Sequence, residues 1–270
     1  MSGSAAVPSP TGSTRLYAVL GHPVGQVMAP SLMNPLFADR QIDAIMVPIE
    51  VEPARLGSVI QGLKAIGNFD GLLVTVPHKF AVCGYADHLG ETATIAGSAN
   101  ALRREADGSW SADNFDGAGF VAGLRKAGHT LQGATACLVG AGGAGVSIAT
   151  AMMLAGIERL LINDLASDRV DHLVSRLAAR WPGKVSAVPQ GATAGLDFII
   201  NATPLGLKPT DPRPFEVESL SDRTVVADII MKPAKTKLLG EAERRGLRTH
   251  PGIHMLTEQI ELYRSFFRLH

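Results

Sequence analysis

Apolar residues along this chain follow two periods. Apolar and β-branched runs at 16–20, 45–49, 71–76, 134–139, 160–164, 197–201 and 225–229 read as strands, those at 71–76 and 160–164 as buried ones, since a covered strand shows little polar alternation. Between them, apolar residues recur at the spacing of one helix face. Leu32, Leu36 and Phe37 follow Pro30, a residue suited to a first helical turn; Leu56, Val59, Ile60 and Leu63 fall within 51–66; Ile148, Met152 and Ala155 follow a glycine cluster. Residues 95–104 read as a strand, with Asp107-Gly108 as a hairpin turn returning through Trp110. The segment 113–117 opens a helix carrying Phe120, Val121 and Leu124. Further helices are expected over 169–181, over 235–245 as an exposed charged helix, and over 255–268, where Leu256, Ile260, Tyr263 and Phe267 share a face. Strands alternating with helices predict an α/β protein. Its expected parts are residues 15–115 joined by a returning segment 250–270, each strand of the first layer parallel to the next, and residues 116–249 as a second domain.

The most informative stretch runs from 134 to 164. A strand feeds directly into Gly140-Ala141-Gly142-Gly143-Ala144-Gly145, which fits G-x-G-x-x-G, and a helix follows that closes at Gly156. The next strand ends in Asn163 and Asp164, about twenty residues past the turn. That is the dinucleotide-binding βαβ unit. Gly140 permits the tight turn, Gly142 lets the backbone approach a pyrophosphate, and Gly145 lets helix and strand pack closely. Exposed N–H groups at the helix start bind phosphates, and Asp164 accepts hydrogen bonds from the adenosine ribose. A ribose 2′-phosphate carries about −1.5 to −2 charges, so a carboxylate repels it. Leu165, Ala166 and Ser167 offer no cation, and Arg169 lies further on. NAD is therefore favoured over NADP.

Composition narrows the partners. Lys+Arg and Asp+Glu are both 25, so there is no broad attraction to nucleic acid or an anionic membrane. The apolar share of 46% suffices for two cores. Cys83 and Cys137 form no C-x-x-C pair, and Cys137 reads as a small buried hydrophobe. Residues 1–14, rich in Ser, Gly, Ala and Pro, lack the basic start and apolar block of a signal peptide and read as a disordered leader. No run is apolar over the length needed to cross a bilayer. A cytoplasmic protein with a small-molecule substrate, monomeric or homodimeric, is expected. The histidines suggest no metal set: His250 and His254 are four apart, but Pro251-Gly252 keeps them off one helical face.

Seven segments in register resemble the shikimate and quinate dehydrogenases: Gly21-His22-Pro23-Val24, Val74-Thr75-Val76-Pro77-His78-Lys79, Ala96-Gly97-Ser98-Ala99-Asn100, Asp113-Asn114-Phe115-Asp116-Gly117, the glycine turn, Asn201-Ala202-Thr203-Pro204-Leu205-Gly206, and Met255-Leu256-Thr257-Glu258-Gln259. The resemblance implies an N-terminal α/β substrate-binding domain and a Rossmann-type NAD(P)-binding domain, with catalysis in the groove between. It implies Lys79 and Asp116 as the catalytic pair, and the chemistry needs such a pair: hydride removal from an alcohol leaves a proton for a base, and reduction runs the same group as an acid. Thr75, Asn100 and Gln259 match substrate-binding positions. Asn163, Asp164, Asn201, Ala202, Thr203, Pro204, Ile229, Met231, His254 and Met255 join the glycine turn as positions facing the dinucleotide. From residue type alone, Lys79 reads as a solvated helix-start lysine and Asp116 as a helix N-cap.

Departures from the family pattern share a direction. Two serines that hold the substrate carboxylate are Val27 and Ala29, an asparagine is Leu73, threonines are Phe115 and Ala101, and a tyrosine is Met231. A glycine is His254, and the residue before Lys79 is His78 instead of the usual Phe. Apolar side chains thus replace hydroxyls and amides, and a shifted substrate range follows, with His78 or His254 as candidates for a replacement contact. The competing readings are a catalytically weak nucleotide- or metabolite-binding regulator on the same fold and a folate-linked dehydrogenase. The retained Lys79 and Asp116 argue against the first, and the V-T-V-P-H-K and D-N-F-D-G segments against the second.

Overall fold

The computed structural model describes residues 9–269. Two compact units divide the chain: the first runs to Phe115 and resumes at Ile260, and the second is Asp116–Gln259. Residues 250–259, grouped with the first domain on sequence, belong to the second unit.

In the first unit, β1 (Arg15–Gly21), α1 (Ala29–Asp39), β2 (Ala44–Glu50), α2 (Leu56–Ala65) and β3 (Phe69–Val74) alternate as the apolar pattern predicts. Then come β4 (His88–Leu89), α3 (Glu91–Ala96), β5 (Ala101–Arg104) and β6 (Trp110–Asp113). The sheet order is β2-β1-β3-β5-β6-β4. β1 pairs parallel with β2 and β3, but β5 runs antiparallel to both β3 and β6, so this layer is mixed, not wholly parallel. The long connection between β3 and β5 returns the chain antiparallel beside β3, and the hairpin at Asp107-Gly108 reverses it again into β6.

Residues 95–100 are not a strand. They end α3, whose N-terminal N–H at Ala93 is taken by the Asp113 carboxylate at 2.8 Å, and which stops at Gly97 with φ +67°. A side-chain acceptor arriving from β6 makes this helix, and an apolar count over Ile95 and Ala96 cannot show it. Part of the expected leader, residues 1–8, lies outside the described residues. The rest is tied down: the hydroxyls of Ser13 and Thr14 donate to Asp43 at 2.7 and 2.6 Å.

The second unit contains α4 (Asp116–Lys126), β7 (Thr135–Val139), α5 (Gly143–Leu154), β8 (Arg159–Asn163), α6 (Ser167–Ala178), β9 (Val185–Ala187), β10 (Phe198–Asn201), β11 (Val225–Asp228), α7 (Lys237–Arg244) and β12 (Arg248–His250). A last helix, α8 (Ile253–Phe266), begins here and ends in the first unit. The sheet order is β12-β11-β10-β7-β8-β9, all parallel, which is the doubly wound order with its switch point between β7 and β10. Helix α5 is buried on nearly every side because Gly, Ala, Ser and Thr dominate it. A Cβ at Gly117 would stand 2.1 Å from the Ser147 carbonyl oxygen, so only glycine lets α4 lie this close to α5. Helix α7 is not simply exposed, since it buries Leu238, Leu239 and Ala242 beneath its charges. Cys137 is buried, and burial pushes its thiol up to about 11.

His250 and His254 do meet. Pro251-Gly252 keeps them off one helical face, yet the tight passage at Gly252 folds the start of α8 back, and the rings lie 5.0 Å apart. His129 and Phe120 complete the group at 6.2 and 5.7 Å from the His250 ring. Burial first, then His254 and His129, push His250 from 6.5 down to about 4. The unfolded chain therefore binds this proton more readily than the folded one. The stability held by neutral His250 is fully present above pH 6.5 and is lost as pH falls toward 4, amounting to about 2 kcal/mol by pH 5. Melting curves from pH 7 to 5 should show that loss in the wild type and a flatter profile in His250→Phe; equal slopes would refute it.

Candidate active site

At the switch point of the second sheet, a pocket of about 550 Å³ is lined by Val139, Gly140, Gly142, Asn163, Asp164, Ala202, Thr203 and Pro204, among others. The three motif glycines differ in what they allow. Gly140 has φ +109° and lies against Ala202, where a Cβ would stand 2.7 Å from the backbone. At Gly145 a Cβ would come 2.0 Å from the Gly140 carbonyl oxygen. Gly142, the N-cap of α5, has nothing within 4 Å of its missing Cβ. A turn closed from behind and open in front of a twelve-residue helix N-terminus fits a dinucleotide pyrophosphate.

Asp164 directly follows the neighbouring strand β8. Its carboxylate accepts N–H groups from Ala141 at 2.7 Å and Ala166 at 2.9 Å, which fixes its direction. Leu165, 91% exposed, offers an apolar surface on the same pocket. Arg169, further along the next helix, and Arg213, which the sequence does not single out, also line it. Arg213 is engaged with Glu216, Glu218 and Glu241. Of the other expected cofactor positions, Ala141, Gly143, Ala144 and Gly145 form the turn and helix start behind the lining. Ile229, Met231, His254 and Met255 do not line this pocket.

Asn201 acts from behind. Its Nδ2 donates to Asp228 at 3.0 Å and to the Leu205 carbonyl at 2.9 Å, while its Oδ1 accepts from Thr203. Asp228 is fully buried and also receives the Thr236 hydroxyl at 2.7 Å; burial holds its carboxyl above the usual range against those hydrogen bonds. Asp228 was missed on sequence, and the signal was an acid closing the apolar run 225–227. The network braces the two loops that follow β10 and β11.

In the same unit, Asp116 and Gln259 come together. Asp116, 4% exposed, accepts a hydrogen bond from Gln259 Nε2 at 3.3 Å. Gly119 makes this possible, because a Cβ there would stand 2.6 Å from Gln259 Cγ.

In the first unit, Lys79 is 8% exposed, which removes the reading as a solvated lysine. Its carbonyl accepts the Ala99 N–H at 2.8 Å, and the Val74 N–H donates to the carbonyl of Asn100 at 2.8 Å. These bonds place the Lys79 turn beside Asn100 and Thr75. Val27, Leu73, Ala101 and Phe115 fall in one apolar cluster with Tyr17, Met33 and Tyr263, and Ala29 is part of it. His78 is a satisfied core histidine: its Nε2 donates to the Val51 carbonyl at 2.7 Å. It supplies no replacement contact.

Among the described residues no group of three His, Cys, Asp or Glu could hold a metal ion, and no helix is long and apolar enough to cross a membrane. The model of the shikimate dehydrogenase substrate binding domain matches residues 19–102. A shikimate dehydrogenase (NADP(+)) of Rubrobacter xylanophilus is 38% identical over 266 residues, covering 96% of this chain and 93% of that protein. The chain belongs to the shikimate dehydrogenase family. Shikimate 5-dehydrogenase from Listeria monocytogenes, solved with shikimate and NAD, is 27% identical with a TM-score of 0.85, covering 93% of this chain and 91% of that one. The 5-ketofructose reductase of Gluconobacter sp. strain CHM43, solved ligand-free, is also 27% identical, with a TM-score of 0.84 and coverage of 94% and 92%. With the family come its two-domain Rossmann-type fold and its class of activity. The protein is an NAD(P)-dependent oxidoreductase acting on an alcohol.

Proposed function

We propose that this enzyme transfers hydride reversibly between NAD and a cyclic hydroxy acid or other hydroxy-ring substrate, with a substrate range displaced from shikimate. The first unit, residues 15–115 with the end of the chain, takes the substrate, and the second takes the dinucleotide. Lys79 gives and takes the hydroxyl proton, with Asp116 as its carboxylate partner; Thr75, Asn100 and Gln259 hold substrate oxygens. The burial of Lys79 within its motif carries this reading. A lysine withdrawn from solvent is rare without a partner or a task.

A bound nicotinamide dinucleotide supplies the hydride acceptor. The chain's own residues do the rest: the open face at Gly142 and the α5 N-terminus hold phosphates, Asp164 takes ribose hydroxyls, and Lys79 holds the proton beside the oxygen from which it leaves. The displaced range is supported by Val27 and Ala29, where serines would donate to a carboxylate. The Gluconobacter relative, named for a ketose, is a protein of this fold whose substrate name carries no acid.

NAD preference rests on Asp164. Its carboxylate is fixed at the pocket by the Ala141 N–H and would repel a 2′-phosphate there, and Arg213 is already paired with three glutamates. Arg169 is the other cation that lines the pocket. The Rubrobacter relative is named for NADP(+), so the two differ on this reading. At equal concentrations kcat/KM with NAD should exceed that with NADP by about tenfold or more, equivalent to about 1.4 kcal/mol. Preference for NADP would overturn it.

A further inference from the structure

Asn100 is gripped from two sides within the first unit. Its Oδ1 accepts the Phe115 N–H at 2.9 Å, and its Nδ2 donates to the Tyr263 hydroxyl at 3.0 Å, across 163 positions of sequence. Rotating the amide by half a turn would set an NH₂ group against the Phe115 N–H, donor against donor, so one orientation is selected. The side chain is 1% exposed, so its hydrogen bonds are made inside the protein, where each matters to its orientation.

The Tyr263 ring has a second task. It meets Phe115 edge-on at 5.8 Å and 85°, and both belong to the apolar cluster that holds Leu73 and Ala101, with Val27 packed against it. Five positions where the family pattern has a hydroxyl or an amide, Ala29 among them, have therefore become one apolar wall. Tyr263 closes it, presenting its only polar atom to Asn100.

We infer that Tyr263 is the positioning and specificity-determining residue of the substrate site: its hydroxyl fixes the Asn100 amide for a substrate hydroxyl, and its ring excludes a carboxylate. The substrate class is a cyclic polyol or hydroxy ketone with no anionic group on the side facing this wall. The inference rests on the reading above that Asn100 binds substrate.

Shikimate and its methyl ester form the probe pair, because they have the same ring hydroxyls and differ in charge. With saturating NAD, wild type should favour the ester by about tenfold or more in kcat/KM. Tyr263→Phe keeps the ring and the fold; it should raise KM for the ester about three- to tenfold, with kcat within twofold and KM for NAD unchanged. Tyr263→Ser, which opens the wall, should narrow the ester-to-acid ratio. An unchanged KM in Tyr263→Phe overturns the positioning role, and an unchanged ratio in Tyr263→Ser overturns the wall. Calorimetric Kd values for the two probes are measured in parallel. If wild type turns over neither probe, the proposed dehydrogenase activity fails separately, and the Kd values decide the role of Tyr263 by the same comparisons.

Discussion

Lys79→Met should cut turnover by about 10²–10⁴-fold, the range lost with a positioned acid–base group. When hydride leaves the alcohol carbon, the oxygen still carries a proton, and the developing carbonyl forms only as that proton departs. In reduction the same oxygen gathers negative charge and needs a donor within about 3 Å. Methionine matches the length of lysine and can do neither. KM for NAD should stay near its wild-type value, because the pocket that takes the dinucleotide contains no part of the Lys79 turn. Steady-state rates in both directions, with a melting curve as a control for folding, make the test. A variant that turns over as fast as wild type removes Lys79 from the chemistry.

Turnover of shikimate itself should be weak. Each charge-assisted hydrogen bond to a carboxylate is worth about 1.5–3 kcal/mol, and Val27 and Ala29 offer none. Two such losses correspond to roughly two to four decades in binding. The shortfall should appear mainly in KM and should be partly recovered in the Val27→Ser/Ala29→Ser double variant, with a melting curve as a control because Ala29 is buried. Turnover of shikimate by wild type at micromolar concentration would refute this.

What the sequence disclosed and what it hid have physical causes. The βαβ unit at 134–164 was legible because glycine, strand and helix patterns coincide over one short local stretch, and local patterns are what a linear chain displays. Hydrogen bonds between distant residues were not legible. Nothing in residues 91–100 announces that Asp113 will cap α3, and nothing near Asn100 announces Tyr263. His78 was ambiguous for the same reason, since its partner is a backbone carbonyl 27 positions earlier. The mixed first sheet was half visible: Asp107-Gly108 marks the reversal between β5 and β6, but the reversal between β3 and β5 lies in a connection without periodic pattern. Arg213 was missed because it reaches the nucleotide pocket from a loop between β10 and β11 that carries no periodic pattern.

The three motif glycines also differ in how selection can act on them. Alanine at 140 or 145 would collide with backbone, so such a change would disappear from any population of folded molecules. Alanine at 142 would meet nothing of the protein at all. Drift there would be silent to every screen for expression or solubility, and visible only to one that asks whether the coenzyme still seats. Position 142 is thus constrained by the guest rather than by the host.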